Sequence, residues 1–97
     1  MAGILKIYFL EGCPYCEGAV KLLDSMHVNY KIVEVTQKNN NKVKKKLGRD
    51  TFPQLVLGDL KLGGYDELEK IVAVCKLLNK THIDPRAVDY ICRKGRT

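Results

Sequence analysis

Cys13 and Cys16 stand two residues apart, where an apolar run ends and a helical pattern begins. A cysteine at the start of a helix faces backbone N–H groups without partners and the positive end of the helix dipole. Both favour the thiolate over the thiol, and the thiolate is the attacking species in disulfide exchange. Cys16 follows one turn later on the same side, so its sulfur can reach Cys13 and resolve a mixed disulfide formed there. Pro14 stiffens the turn between them and brings no N–H of its own. The pattern predicts a redox dithiol, with Cys13 attacking and Cys16 resolving. A structural zinc would need a second pair of ligands, and no metal is expected. Cys75 and Cys92 do not form a second C-x-x-C. Each sits on an apolar helical face, which predicts small buried side chains. A bridge between them stays open at this point.

The elements that must position the dithiol follow from periodicity. Ile4–Leu10 is a nearly continuous apolar run, as in a strand covered on both faces. From Pro14, Cys16, Ala19, Leu23 and Met26 recur at spacings of three and four, one stripe of a helix. Asn29–Val35 alternates and is β-branched, a second strand. Lys38–Arg49 reads as a polar, basic helix stopped by Gly48, with only Val43 and Leu47 to hold it down. Gln54–Leu57 and Leu60–Leu62 flank Gly58-Asp59, a hairpin signal, and Gly63-Gly64 reads as a second turn. Leu68, Ile71, Val72 and Cys75 mark an amphipathic helix. Asp84-Pro85 opens a last one, with Val88, Ile91 and Cys92 on one face and Gly95 at its end. The order β-α-β-α-β-β-α, plus a helical tail, predicts an α/β fold with a mixed sheet and a parallel first pair.

The chain has 97 residues, enough for one domain and too few for two. Hydrophobic residues at 45% and charged residues at 29% are those of a globular protein, not of a disordered chain. No apolar run is long enough to span a bilayer, and the N-terminus lacks the marks of a signal peptide. A reducing, cytoplasmic setting is the expectation, with no membrane partner. The formal net charge of +6 favours anionic partners without choosing among them.

Three stretches, in order and at matching spacing, carry a resemblance. Cys13-Pro14-Tyr15-Cys16, Thr51-Phe52-Pro53-Gln54 and Gly63-Gly64-Tyr65-Asp66-Glu67-Leu68 together resemble the dithiol glutaredoxins of the thioredoxin-like fold. The likeness covers about residues 4–78 and leaves residues 79–97 as a C-terminal helical extension of a single domain. It implies a thioredoxin-like fold with a four-stranded mixed sheet flanked by helices. It implies a thiol–disulfide oxidoreductase re-reduced by glutathione, with Cys13 carrying the mixed disulfide. Glutathione would lie against Tyr15, Thr51, Phe52, Pro53, Gly64, Tyr65, Asp66 and Glu67, with a cis bond before Pro53. The turn at Gly64 would offer helix N–H groups to a carboxylate, and Asp66 or Glu67 would accept from the γ-glutamyl ammonium. Implied partners are disulfide-containing or glutathionylated proteins, ribonucleotide reductase among them, served by a monomer. Phe52 replaces the usual Val. Leu10 and Glu11 stand where many members carry a cation, which weakens both carboxylate binding and thiolate stabilisation. Asn40, at another family position, supplies a hydrogen bond but no charge.

Other features read more simply. The basic run Lys38–Arg49 is a solvated helix face or an anion-attracting rim; it has no interleaved aromatics, and no nucleic-acid partner is expected. His27 and His82 are isolated surface or helix-end residues. The alternatives at this point are a donor recharged by a flavoprotein reductase and a carrier of a glutathione-ligated [2Fe–2S] cluster.

Overall fold

A computed structural model describes residues 4–48, 50–77 and 85–94. Its elements are β1 (Leu5–Leu10), α1 (Pro14–Ser25), β2 (Tyr30–Val35), α2 (Asn40–Leu47), β3 (Gln54–Leu57), β4 (Leu60–Gly63), α3 (Tyr65–Leu77) and α4 (Pro85–Lys94). The four strands form one sheet in the order β2-β1-β3-β4. β1 pairs parallel with β2, from Leu5 opposite Tyr30 to Leu10 opposite Val35. It pairs antiparallel with β3, from Leu5 opposite Leu57 to Tyr8 opposite Gln54. β3 and β4 run antiparallel with an irregularity between Leu55 and Val56. The mixed sheet expected from the element order is therefore present, with the four strands that the resemblance implies.

The apolar run of β1 makes it a central strand, and Leu5 and Ile7 are fully buried there. They meet Ala19 and Leu23 of α1, Leu68, Ile71 and Val72 of α3, and Ala87 and Ile91 of α4 in the main core. Each buried Leu or Ile contributes about 1.5–3 kcal/mol relative to exposure, so this face holds the sheet and three helices together. A second, smaller cluster gathers Cys16, Val35 and Phe52 with Tyr8, Phe9, Leu10, Cys13 and Val43. This cluster lies under the dithiol and anchors α2 beside it.

Local chemistry explains the ends of the helices. Gly48 follows α2 at φ 73°, the left-handed conformation that costs glycine least. α1 closes with the N–H of Val28 on the carbonyl of Leu23 and the N–H of His27 on that of Asp24. That pair of bonds places His27 at φ 57° in the cap, the helix-end role expected of it. Tyr30 donates to Asp24 at 2.7 Å, and burial with that bond raises the Tyr30 hydroxyl above its usual range.

Several sequence expectations need correction. Gly63 is not in a turn: it is the last residue of β4, and the chain turns at Gly64 directly into α3. β2 is an edge strand, so its alternation is weak: Val35 is buried while Ile32 is 43% exposed. Cys75 and Cys92 are not sealed thiols in the core. They are half-buried and bonded to each other across α3 and α4, with α-carbons 5.2 Å apart. Their two helices pack side by side, which single-helix periodicity does not reveal. Pro85 opens α4 as expected, while Asp84, His82, Arg49 and Gly95 lie outside the described residues.

Candidate active site

The chain leaves β1 at Leu10, and the N–H of Cys13 returns to the Leu10 carbonyl at 3.2 Å. Cys13 then caps α1 from an extended conformation, with Pro14 in the first turn. Its sulfur accepts the backbone N–H of Cys16 at 3.3 Å. A sulfur in the cap position thus takes the place that Ser or Asp oxygens fill in most helices. The site sits at the carboxyl end of β1, beside the end of β2 and the start of β3.

The two cysteines differ sharply. Cys13 is half-buried and reachable; Cys16 has no exposed surface. Burial, then a hydrogen bond to the Cys13 sulfur, pushes the Cys16 thiol up from 9.0 to about 12. At neutral pH Cys16 keeps its proton and donates it toward Cys13. One sulfur is presented for attack while the other waits as a buried thiol.

Phe52 supplies the opposite wall. The bond between Phe52 and Pro53 is cis. The Phe52 carbonyl lies 3.6 Å from the Cys13 sulfur, which donates to it as a thiol. The Phe52 side chain is buried in the small cluster with Cys16. α3 brings the third wall. Gly64 precedes its first turn, and its carbonyl accepts the N–H of Leu68 at 3.0 Å. The Glu67 carboxylate reaches back to the Gly64 N–H at 2.7 Å, the return half of a capping box. Gly63, at φ 107°, lets Glu67 come this close: a Cβ there would stand 2.7 Å from the Glu67 side chain. Glu67 is therefore occupied with its own helix, whereas Asp66 is exposed.

Tyr15, Thr51, Phe52, Pro53, Gly64, Tyr65, Asp66 and Glu67 line one groove of about 300 Å³. The structure brings all eight sequence-predicted groove residues together, from three separate stretches. Tyr15 is 64% exposed, and its ring meets that of Tyr65 at 5.9 Å between centroids. Gly18 is a positioning residue the sequence reading passed over. A Cβ on it would meet the Tyr65 ring at 3.2 Å, so its absence lets α3 approach α1. A glycine inside a helix costs about 1 kcal/mol against alanine, and that cost was the available signal. Asn40 donates to Gln37 at 3.3 Å and so serves the turn before α2. Leu10 is half-buried and packs against the cluster beneath the dithiol. Among the described residues, no three His, Cys, Asp or Glu side chains form a metal-holding group, and no helix is long and apolar enough to cross a membrane.

Residues 5–60 match the glutaredoxin family model. The chain belongs to the glutaredoxin family. Glutaredoxin 1 of Rickettsia felis is 42% identical over 79 residues, covering 74% of this chain and 78% of the relative. Glutaredoxin 3 of Escherichia coli is 33% identical over 66 residues, 66% of this chain and 80% of its own. The solution structure of a Brucella melitensis glutaredoxin superposes with a TM-score of 0.64 at 31% identity, over 77% of this chain and 84% of that one. A buckwheat glutaredoxin in complex with glutathione shares the fold at a TM-score of 0.64 and 23% identity, over 76% of this chain and 72% of its own. As a glutaredoxin, the protein is a thiol–disulfide oxidoreductase.

Proposed function

We propose that this glutaredoxin reduces glutathione mixed disulfides and protein disulfides through Cys13 and Cys16, with glutathione as its reductant. The observation that carries this reading is the groove lined by Tyr15, Phe52, Pro53 and the first turn of α3, whose Phe52 wall brings its carbonyl to 3.6 Å from the half-buried Cys13 sulfur. A short extended peptide suits it. The backbone at Phe52 would pair with the peptide in the manner of an added strand. A carboxylate would meet the N–H groups at the start of α3. Asp66 would take the peptide's ammonium, because Glu67 is already bonded to Gly64. The buckwheat complex shows a related fold holding glutathione, which supports the same assignment here.

The Cys13 thiolate attacks the glutathionyl sulfur of a modified protein, and the protein thiolate leaves. A second glutathione then attacks the glutathionyl group on Cys13. This releases glutathione disulfide and restores the Cys13 thiolate. On a protein disulfide, the Cys13 thiolate attacks one substrate sulfur, the substrate S–S bond breaks, and the other substrate sulfur leaves as the first thiol, with a mixed disulfide on Cys13. Cys16 gives up its proton, attacks the Cys13 sulfur and releases the second substrate thiol. The resulting Cys13–Cys16 disulfide is reduced by two glutathione molecules. Disulfide-bearing and glutathionylated proteins of a reducing cytoplasm are the acceptors, ribonucleotide reductase being one of that class.

Glutathione-coupled reduction of a mixed disulfide, on wild type and Cys13→Ser, tests this reading. Wild type turns over and Cys13→Ser loses at least about a thousandfold, as for removal of a catalytic nucleophile. Activity with a flavoprotein thioredoxin reductase and none with glutathione would assign the chain to reductase-coupled donors instead. Failure in both systems would remove redox exchange altogether.

A further inference from the structure

The second cysteine pair lies away from the groove and follows a different logic. Cys75 is near the end of α3, Cys92 is near the end of α4, and their sulfurs are bonded. α4 adds no strand to the sheet and is held by the packing of its apolar side chains, with Val88 and Tyr90 against the main core. Ala87 and Ile91 are buried in the main core. The Tyr90 hydroxyl accepts the Leu5 N–H at 3.4 Å and donates to the Asn29 carbonyl at 2.9 Å. The covalent bond is a further tie. Neither cysteine is sealed: both are half-buried, in contrast to Cys16. A disulfide in that position is within reach of a small thiolate, and access governs exchange.

We propose that Cys75–Cys92 is a second redox site of this chain, a latch that a low-molecular-weight thiol such as glutathione opens, freeing α4 from α3 while the Cys13–Cys16 centre stays formed. The thiolate of one reductant molecule attacks either sulfur and the Cys75–Cys92 bond breaks, leaving one mixed disulfide and one cysteine thiolate, which takes up a proton. A second reductant thiolate attacks the reductant sulfur of that mixed disulfide and displaces the other cysteine, which is protonated in turn. Two reductant thiols have become one disulfide, and Cys75 and Cys92 have received two electrons and two protons. α4 is then held by non-covalent contacts, those of Ala87, Val88, Tyr90 and Ile91 among them. Ala87 shares with Leu60, Leu62 and Ile71 the lining of a hollow of about 220 Å³. Withdrawal of α4 widens that hollow, whose rim also carries Lys61, Glu67 and Lys70. Cys75, Cys92 and α4 contribute no residue to the catalytic groove, so the Cys13–Cys16 centre keeps its geometry.

Site-resolved thiol trapping by mass spectrometry, on wild-type protein equilibrated at glutathione ratios spanning the cytosolic poise, reads each cysteine separately. Hydrogen exchange on the same samples reads α4. The expected result is a Cys75–Cys92 pair that passes from bonded to free within that span. Exchange in residues 85–94 rises at least about tenfold on reduction, while residues 14–25 exchange as before. The Cys75→Ser/Cys92→Ser variant should show the open-latch exchange at every ratio and retain mixed-disulfide turnover within about twofold, since the pair is remote from the groove. A bond absent under oxidising conditions, a bond that survives the whole span, or equal α4 exchange in both states would overturn the proposal.

Discussion

Cys13 and Cys16 share one turn of one helix, whereas Cys75 and Cys92 join two helices; the same residue type does different work at the two ends. At the catalytic end, one sulfur caps α1 and stays reachable while the other is buried as a thiol. They remain free cysteines. At the far end both sulfurs are half-buried, and they are bonded. The contrast teaches that chemistry comes from surroundings rather than from residue type. A helix start and a groove make a nucleophile; two packed helices with facing sulfurs make a crosslink.

The comparison can be sharpened by breaking each end separately. Cys16→Ser should leave reduction of glutathione mixed disulfides within a few-fold. It should lower reduction of protein disulfides at least about a hundredfold, because an intramolecular attack is replaced by a bimolecular one. Steady-state rates on the two substrate types check this. At the other end, Cys75→Ser/Cys92→Ser removes a crosslink separated by 17 residues in sequence. Loop-closure entropy predicts a loss of about 3 kcal/mol, read as a lower midpoint in denaturant under oxidising conditions.

A third prediction concerns pH. Cys16 releases its proton near 12 in the folded chain and near 9.0 when unfolded. Between these values the unfolded state binds fewer protons, so stability falls as pH rises above about 9. Chemical denaturation from pH 8 to 11 should show a steeper decline for wild type than for Cys16→Ser, by at most about 1.4 kcal/mol per pH unit. The smallest effect is expected of Tyr90→Phe. It removes two hydrogen bonds that tie α4 to β1 and to the residue before β2, and should cost about 1 kcal/mol with no change in Cys13 alkylation rate.

Much of the catalytic end was legible in the sequence because its decisive relations are local. A strand, a break and C-P-Y-C place a sulfur at a helix start within a few residues. The Phe52-Pro53 and Gly64–Glu67 stretches were legible only through the resemblance, since tertiary folding brings them to Cys13. What escaped the sequence reading was set by contacts between elements. Cys75 and Cys92 each read correctly as lying on a helical face, but periodicity within one helix is silent on which helix lies opposite. Gly18 carried a signal, a costly glycine mid-helix, without naming Tyr65 as the ring that needs the space. The Glu67 side chain three residues after Gly64 is half a capping-box pattern, and reading it as such would have left Asp66 as the residue facing the groove. The alternation in β2 named no buried face because the strand is at an edge.

Cys13 is the reachable nucleophile and Cys16 a buried, protonated thiol. The most direct test of this difference is brief alkylation of the reduced protein with iodoacetamide near neutral pH, with each cysteine quantified by peptide mass spectrometry. The account predicts rapid modification at Cys13 and almost none at Cys16 while the fold is intact. Equal modification of the two, or a Cys13 slower than Cys16, would contradict it.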